Sequence, residues 1–290
     1  PVEDTGFDAS YVEIAEAIAT GENVNARAGD MRAGEPVLAR GTRIGAPHLG
    51  VLATLGVVSV PVCRRPIVAI VSSGDELVPP SKRPCVGEIR DSNRYAVAGS
   101  LRAMGVEPRH FPTVRDEAGA LAAALSAALA QCDAAIVTGG SSVGERDRTP
   151  QEIASLGTPG VIVHGIKVKP GKPTVLAAIG RKPVVGLPGN PTSALTILEA
   201  IAAPIFAAMT GALPCCRAVT AILDGSVSGR AGWTWFLPVA LRHEPAGLVA
   251  HPLALHSSEV SLTARAGGYL TVENGETLCA GTPVQIRRFA

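Results

Sequence analysis

Residues 66–77 read PIVAIVSSGDEL, an apolar run rich in β-branched residues that ends in hydroxyl, glycine and acidic side chains. Such a short, continuous apolar run predicts a strand that is buried on both faces. The segment SNRYAVAGSLRAMG (92–105) then places apolar residues at helical spacing, with Asp91 or Ser92 as its N-cap and a glycine at its end. A buried strand followed by an amphipathic helix is the repeating unit of a parallel α/β sheet.

This alternation continues as far as Gly211. The predicted elements are, in order, the extended segment VEPRHFPTV (106–114), the helix EAGALAAALSAALAQ (117–131), the strand DAAIVTGG (133–140), the short helix TPQEIASLG (149–157), the strands VIVHGIKV (161–168), TVLAAI (174–179) and PVVGL (183–187), and the helix PTSALTILEAIAAPIFAAMTG (191–211). Thr149 is the expected cap of the short helix, with Pro150 at its first position. The pattern predicts an α/β fold with a central three-layer, mostly parallel sheet.

The two flanks of this region have different patterns. Before it, APHLGVLATLG (46–56) predicts a helix and VVSVPV (57–62) a strand. After it come five short predicted strands and one short helix: RAVTAIL (217–223), WTWFLPVAL (233–241), GLVAHPL (247–253), SEVSLTARA (258–266, the helix), GYLTVE (268–273) and TPVQIRR (282–288). We therefore predict a partial N-terminal or linker region at 1–63, an α/β domain at 64–212 and a β-rich domain at 213–290.

Composition excludes several classes of partner. Lys+Arg 26 against Asp+Glu 25 gives a net charge of +1, and aromatic residues make up 3%, so no nucleic-acid partner is expected. The N-terminus lacks the pattern of a signal peptide, and the most apolar run, LAAALSAALA (121–130), is too short to cross a bilayer. The six cysteines include no C-x-x-C pair. We expect a soluble protein in the cytoplasm with no membrane partner. The chain begins with Pro1 rather than Met, so a native start, a cloning boundary and a cleavage site stay open as alternatives.

Two acidic or glycine-rich loops follow predicted strands, where ligands bind in such sheets. SSGDEL (72–77) supplies carboxylates that suit Mg²⁺, although Asp75 could instead cap a turn. In TGGSSVGERD (138–147), consecutive glycine N–H groups could form a nest for an anion, and Glu145 and Asp147 add acidic groups. A glycine-rich loop is also compatible with an ordinary turn.

Two further loops are rich in proline and glycine. KVKPGKPTV (167–175) holds Lys169 and Lys172 between prolines, and lysine is suited to phosphate. GLPGNPTSA (186–194) begins a helix with Asn190 as its cap, and the N-terminus of a helix attracts anions. The alternative is a pair of surface turns with solvated lysines. Together the four loops favour a site for a phosphorylated small molecule with a divalent cation.

Five motifs closely resemble the molybdenum insertases of molybdenum-cofactor biosynthesis, the family of bacterial MoeA and the gephyrin E domain. They are SSGDEL (72–77), GEIRDSN (87–93), TGGSSVGERD (138–147), KPGKP (169–173) and LPGNPTSA (187–194). The resemblance implies a molybdopterin-binding-domain-like α/β domain and a small C-terminal β-barrel. It also implies that molybdate is inserted into adenylylated molybdopterin with release of AMP, assisted by Mg²⁺.

By position, the resemblance implies catalytic roles for Glu76, Asp147, Lys169 and Lys172, with Glu76 and Asp147 as metal ligands or activators of water. The residues expected to bind the pterin nucleotide are Ser73, Gly74, Asp75, Thr138, Gly139, Gly140, Ser141, Ser142, Pro170, Gly171, Pro188, Gly189, Asn190 and Ser193. The implied partners are the pterin nucleotide, molybdate and a second copy of the chain in a homodimer. A molybdopterin adenylyltransferase is a candidate protein partner.

Several positions depart from the family pattern. Residues 1–60 lack the motif P-x-x-D-x-S-x-x-D-G-Y-A, and Gly267 stands where an Asn or Asp is common. Trp233 and Pro238 replace common arginines, and Gly165 replaces a basic residue. Two alternatives therefore stay open: a molybdopterin-binding or dimerising module without turnover, and a molybdopterin adenylyltransferase. The KPGKP loop and the extra β domain argue against the second alternative.

Overall fold

The computed structural model describes residues 5–8, 10–14, 17, 19–139, 148–212, 218–245, 247–253 and 258–289. The chain forms two compact units, Pro1–Val58 and Ser59–Ala290. The strands are β1 (Thr5–Phe7), β2 (Val12–Ile14), β3 (Ile67–Ser73), β4 (Leu77–Val78), β5 (Ile89–Arg90), β6 (Glu107–His110), β7 (Ala134–Gly139), β8 (Pro159–His164), β9 (Val168–Lys169), β10 (Val175–Ile179), β11 (Lys182–Leu187), β12 (Ala218–Leu223), β13 (Val227–Ser228), β14 (Thr234–Glu244), β15 (Gly247–Pro252), β16 (Gly268–Val272), β17 (Thr277–Leu278) and β18 (Pro283–Arg287). The α-helices are α1 (Ala46–Thr54), α2 (Asn93–Ala103), α3 (Ala120–Gln131), α4 (Thr149–Ala154), α5 (Pro191–Ile197), α6 (Ala203–Thr210) and α7 (Val260–Arg265).

The first unit contains a hairpin and a helix. Strands β1 and β2 pair antiparallel, with Thr5 opposite Ile14. Helix α1 confirms the prediction from APHLGVLATLG. The strand predicted at 57–62 is wrong, because these residues form no strand and Val58 is 99% exposed. β-branched composition alone does not supply a neighbouring strand.

The predicted α/β sheet is confirmed in the second unit. Six strands lie in the order β6-β3-β7-β11-β10-β8. The first four are parallel to one another, and β10 runs antiparallel to both of its neighbours. Strands β10 and β11 form a hairpin, which explains why TVLAAI and PVVGL follow each other without a helix between them.

Helices cover both faces of this sheet, so the fold has three layers. Along β3, Val68 and Ile70 face one helical layer, whereas Ala69 and Val71 face the other. The first layer is built from α2, α5 and α6, and the second from α3 and α4. Because alternate side chains of a strand point to opposite faces, a strand covered on both faces must be apolar throughout. This is the reason for the unbroken run IVAIV.

The C-terminal region forms a small closed barrel. Strands β14, β15, β12, β18 and β16 pair in a ring, which confirms the predicted barrel. Strand β9 comes from the α/β region but pairs with β14. The prediction of VIVHGIKV as one strand is therefore wrong. The chain turns at Gly165, whose φ is +77°, and its two halves, β8 and β9, join different sheets.

Residues 191–210 form a continuous helix with a π-helical turn at Leu198–Ala202 between α5 and α6. Pro204 follows the turn, and its missing N–H interrupts the regular hydrogen-bond pattern. Among the described residues, this helix alone is long and apolar enough to cross a bilayer. Its side chains Ile197, Leu198 and Phe206 belong to the core of the sheet, as in core helices that pass the same test.

The start of helix α4 differs in detail from the sequence prediction, whereas the start of α2 agrees with it. Helix α4 already includes Thr149, with Arg148 before it, so the expected Thr149 cap lies one residue too late. Ser92 occupies the N-cap position of α2, and Asp91, one residue earlier, satisfies the first turn because its Oδ1 accepts a hydrogen bond from the backbone N–H of Arg94. The Asp91 carboxylate also forms a buried ion pair with Arg94, with Nε and Oδ2 3.0 Å apart.

The described cysteines, Cys63, Cys85, Cys132 and Cys279, are free thiols.

Candidate functional site

Three of the four predicted loops begin side by side at the carboxyl edge of the sheet. In the strand register, Ser72 lies opposite Thr138 and Ser73 opposite Gly139. Thr138 also lies opposite Leu187, the last residue of β11. The buried Thr138 hydroxyl donates a hydrogen bond to Ser72 Oγ at 3.1 Å. The structure therefore brings together the starts of SSGDEL, TGGSSVGERD and LPGNPTSA.

Glycines allow these strand ends to lie close to one another. Gly139 has φ +90°, and a Cβ built on it would overlap the carbonyl oxygen of Ser73. A Cβ built on Gly189 would lie 3.8 Å from Gly139 Cα. At Gly74 a Cβ would lie 2.5 Å from the Glu76 carboxylate, so this side chain folds back over the glycine. Gly74 and Gly139 are favoured by their positive φ values, and Gly139 also by the close approach of the Ser73 backbone, in addition to any contact with a ligand.

Asp116 lies beside the acidic loop SSGDEL, although no sequence pattern identified it. Ser73 Oγ donates to Asp116 Oδ1 at 3.2 Å, and the Asp116 backbone N–H donates to Asp75 Oδ1 at 3.3 Å. Asp116 reaches the site because the segment before it pairs with the end of β3: Gly74 N–H donates to Val114 carbonyl oxygen. VRDEAG has no distinctive local pattern, so only the pairing of these distant segments reveals Asp116.

The carboxylates of the SSGDEL loop and of the neighbouring Asp116 fit the chemistry expected for Mg²⁺. Asp75, Glu76 and Asp116 are all exposed, and their oxygens are the ligand type that Mg²⁺ prefers. Within the described ranges, no group of three or more His, Cys, Asp or Glu residues could hold a metal ion by itself. One or two carboxylates suffice where substrate phosphates and water complete the coordination. The other predicted ligand, Asp147, lies outside the described residues.

The rest of the second loop includes the predicted residues Gly140, Ser141, Ser142 and Glu145, which also lie outside the described part of the chain. Thr138 and Gly139 are the only predicted residues of that loop that the structure describes. Both lie at the carboxyl end of β7, as expected.

The KPGKP loop is firmly packed and presents its lysines to solvent. Pro170 and Gly171 are buried, and a Cβ on Gly171 would overlap the Ile197 side chain of α5. The Lys172 carbonyl oxygen accepts a hydrogen bond from Ile166 N at 2.9 Å. Lys169 and Lys172 are themselves exposed. The buried core holds the loop in place, and the exposed ammonium groups of both lysines are accessible to an anion.

Lys169 lies against the barrel. Strand β9 pairs in parallel with the start of β14, so that Lys169 is opposite Trp235. The Lys169 ammonium nitrogen lies 4.2 Å from the centroid of the Trp235 ring. This distance is within the range of a cation–π interaction. The KPGKP loop thus contacts both the α/β core and the barrel.

The LPGNPTSA loop is held at both ends. Asn93 Nδ2 donates to the Gly189 carbonyl oxygen at 2.7 Å. Thr192 Oγ1 donates to the Glu259 carbonyl oxygen at 3.0 Å, at the start of α7. Asn190 precedes α5 in an extended conformation with Pro191 at the first helical position, as predicted. Pro188 and Ser193 are buried, whereas Gly189 and Asn190 are exposed at the loop surface.

At Gly267 the structure suggests a reason for the departure from the family pattern. A Cβ at Gly267 would lie 3.0–3.1 Å from the Leu241 side chain. Gly267 N–H donates to the Val239 carbonyl oxygen at 2.8 Å, which fixes the backbone there. A larger side chain would therefore require Leu241 to move. Nothing in the described contacts accounts for Pro238 in place of a common arginine.

Comparison with known proteins agrees with this architecture. Residues 69–208 match the family model described as a probable molybdopterin binding domain, and residues 1–56 match the MoeA N-terminal region (domain I and II). The molybdopterin molybdenumtransferase of Nostoc sp. is 37% identical over 194 residues, which cover 66% of this chain and 44% of that protein. The molybdopterin molybdenumtransferase of Bacillus subtilis is 30% identical over 268 residues, covering 92% of this chain and 62% of that protein.

A solved structure extends the similarity over the whole chain. The crystal structure of the molybdopterin biosynthesis MoeA protein from Pyrococcus horikosii matches with a TM-score of 0.81 at 31% identity. The match covers 99% of this chain and 71% of that chain. The fold and its strand-end loops define a molybdopterin-binding-domain-like α/β protein with a C-terminal barrel. The chain belongs to the MoeA family, and it spans 44% and 62% of the length of the two curated relatives above.

Proposed function

We propose that this protein acts in molybdenum-cofactor biosynthesis, inserting molybdenum from molybdate into adenylylated molybdopterin with release of AMP. Family membership supports the pathway. The observation that carries the proposal is the register of Ser73, Gly139 and Leu187, which starts three polar loops at one edge of the sheet. Both substrates are anionic, and this edge offers glycine N–H groups and lies beside a helix start.

The proposed roles follow from the side chains. Lys169 and Lys172 bind phosphate or molybdate oxygens, because they are exposed on a loop with a buried core. Glu76 and Asp147 hold a metal ion and activate the water that cleaves the phosphoanhydride, so that AMP leaves. Ser73, Thr138, Gly189 and their loop neighbours orient the pterin nucleotide.

Mg²⁺ is the proposed cofactor, with Glu76 and Asp147 as its protein ligands. When bound, Mg²⁺ neutralises charge on the phosphate oxygens. The exposed Asp75 and Asp116 carboxylates lie in the same loop cluster and would repel an anion without a cation. We also propose that the protein works in the cytoplasm as a homodimer. A molybdopterin adenylyltransferase is the proposed supplier of the adenylylated substrate.

The test measures AMP released from adenylylated molybdopterin with and without molybdate. We expect Glu76→Gln and Asp147→Asn each to lower the rate about 100-fold or more. Glu107→Gln is the matched control, because Glu107 is exposed at the amino end of β6, at the opposite edge of the sheet. If Glu76→Gln and Asp147→Asn both release AMP at the wild-type rate, the assignment of Glu76 and Asp147 is wrong. Tight binding of the pterin nucleotide without AMP release would indicate a binding module instead.

A further inference from the structure

The two-residue strand β9 joins the anion-binding loop to the barrel. It pairs in parallel with β14, with Val168 opposite Thr234 and Lys169 opposite Trp235. Thr234 N–H donates to the Lys167 carbonyl oxygen at 3.0 Å, immediately before this pair. Neighbouring residues in a parallel register project to the same face of a sheet. The backbone therefore places the Lys169 and Trp235 side chains together before any attraction between them is considered.

The side chains then meet in a specific geometry. Lys169 Nζ lies 4.2 Å from the Trp235 ring centroid, and tryptophan is the aromatic residue that attracts a cation most strongly. Trp235 is half-buried and belongs to the border of the barrel core, so its ring is a fixed platform. A lysine stem has four carbons and many rotamers, and contact with a fixed ring reduces that freedom.

The choice of an indole as the partner has a chemical consequence. A carboxylate would hold the ammonium equally well but would cancel its charge. Among the ion pairs of the described residues, none includes Lys169. An aromatic face attracts the ammonium through its quadrupole and leaves the net positive charge available to an anion.

We propose that Trp235 is a positioning residue that fixes the Lys169 ammonium group where it can bind an anionic substrate. A residue of the barrel thereby contributes to the binding site. This inference rests on the proposed function, because it assumes that Lys169 binds the anion. Trp233, two residues earlier, provides a matched comparison. Its ring contacts a different cation, Arg230, with Arg230 Cζ 5.1 Å from the ring centroid.

The contact itself can be tested without a ligand. The chain contains two tryptophans, so Trp233→Phe leaves Trp235 as the single fluorophore. A nearby ammonium group quenches indole emission by proton transfer in the excited state. We therefore expect Trp233→Phe/Lys169→Met to emit more strongly than Trp233→Phe. Equal emission from the two proteins would overturn the contact in solution and with it the proposal.

The function of the contact is tested by calorimetry with AMP as the probe. We expect Trp235→Leu to weaken AMP binding about 2- to 5-fold, with Trp235→Phe recovering part of the loss. Trp233→Leu should leave the affinity unchanged. If Trp235→Leu binds AMP as tightly as the wild type while Lys169→Met binds it more weakly, the positioning role of Trp235 is overturned and the proposed function stands. If the wild type binds no AMP, or Lys169→Met binds as the wild type does, the anion-binding role of Lys169 and this inference fall together.

Discussion

Asn93 and Gly189 are joined by a hydrogen bond from the Asn93 side-chain amide to the Gly189 carbonyl oxygen, at 2.7 Å and across 96 residues of sequence. The first residue begins helix α2, and the second lies in the loop before α5. This bond fixes the exposed tip of the loop that we expect to contact the nucleotide. Asn93 therefore has a role beyond the start of its own helix.

Removing this bond should loosen the loop without removing a group that we assign to the ligand. We expect Asn93→Ala to weaken AMP binding about 3- to 10-fold, because a protein hydrogen bond contributes about 1 kcal/mol. Calorimetry measures the change. Asn25→Ala, a substitution in an exposed segment of the first unit, is the control. Equal affinity of Asn93→Ala and wild type would show that the loop keeps its conformation without the amide.

The glycine at the end of β7 should tolerate no side chain. Gly139→Ala would place a Cβ on the Ser73 carbonyl oxygen and at a φ of +90°. Backbone atoms cannot move aside as a flexible side chain can, so we expect a loss of about 2–4 kcal/mol in the free energy of unfolding, measured with urea.

Gly105→Ala separates the two causes of that loss. Gly105 also has a positive φ, +85°, but nothing lies within 4 Å of a Cβ built there. Its substitution should cost only about 1 kcal/mol, from the backbone conformation alone. If the two variants lose equal stability, close approach of β7 to β3 is not what requires Gly139.

Reversal of the charge at Lys172 should weaken anion binding. We expect Lys172→Glu to reduce the affinity for AMP by about 1–3 kcal/mol, the range for one charge-assisted hydrogen bond. The loss should shrink as salt is raised, because exposed charges are screened. Arg181→Glu makes the same charge change in the turn between β10 and β11, at the far edge of the sheet. Equal effects of the two variants on AMP affinity would indicate a general effect of surface charge rather than a specific anion-binding site at Lys172.

Local sequence pattern predicted the sheet because its strands are covered on both faces. Val68 to Val71 have no solvent face, so the apolar run IVAIV could not be mistaken for an exposed strand. The same pattern failed at 161–168, where β8 and β9 enter different sheets. The partner of β9 is the start of β14, and no local feature of IKVK identifies a partner so distant in sequence.

The site was predictable to a similar extent. Polar and glycine-rich loops after strands identified the edge that now holds Ser73, Thr138 and Gly189, since parallel strands end at a common edge. Asp116 and Trp235 could not be found in this way. Both reach the site through strand pairing, of Val114 with Ser73 and of Lys169 with Trp235. Their own sequence neighbourhoods carry no pattern that differs from an ordinary loop or barrel strand.

The pair Arg64–Asp133 should make stability depend on pH in the acid range. Hydrogen bonds from the Arg64 guanidinium, at 2.6 Å to each carboxylate oxygen, lower the pKa of Asp133 from 3.8 to about 2. Because the folded-state pKa is the lower one, the stabilisation is complete above about pH 4 and is lost as the pH falls towards 2. The pair is partly exposed and screened, so we expect Asp133→Asn to cost only about 1 kcal/mol at pH 7.

Urea unfolding of wild type and Asp133→Asn between pH 7 and pH 2 measures this dependence. The difference in the free energy of unfolding between the two proteins should stay constant down to about pH 4 and then narrow towards pH 2. Protonation of Asp133 in the wild type removes the same carboxylate interaction that the substitution has already removed. Asp30→Asn, at an exposed position of the first unit, controls for the loss of one negative charge. A difference that stays constant down to pH 2 would mean that the pKa of Asp133 is not lowered in the folded protein, so that neither the Arg64 pair nor the bond from Ile67 N–H, 2.8 Å long, favours the ionised carboxyl group.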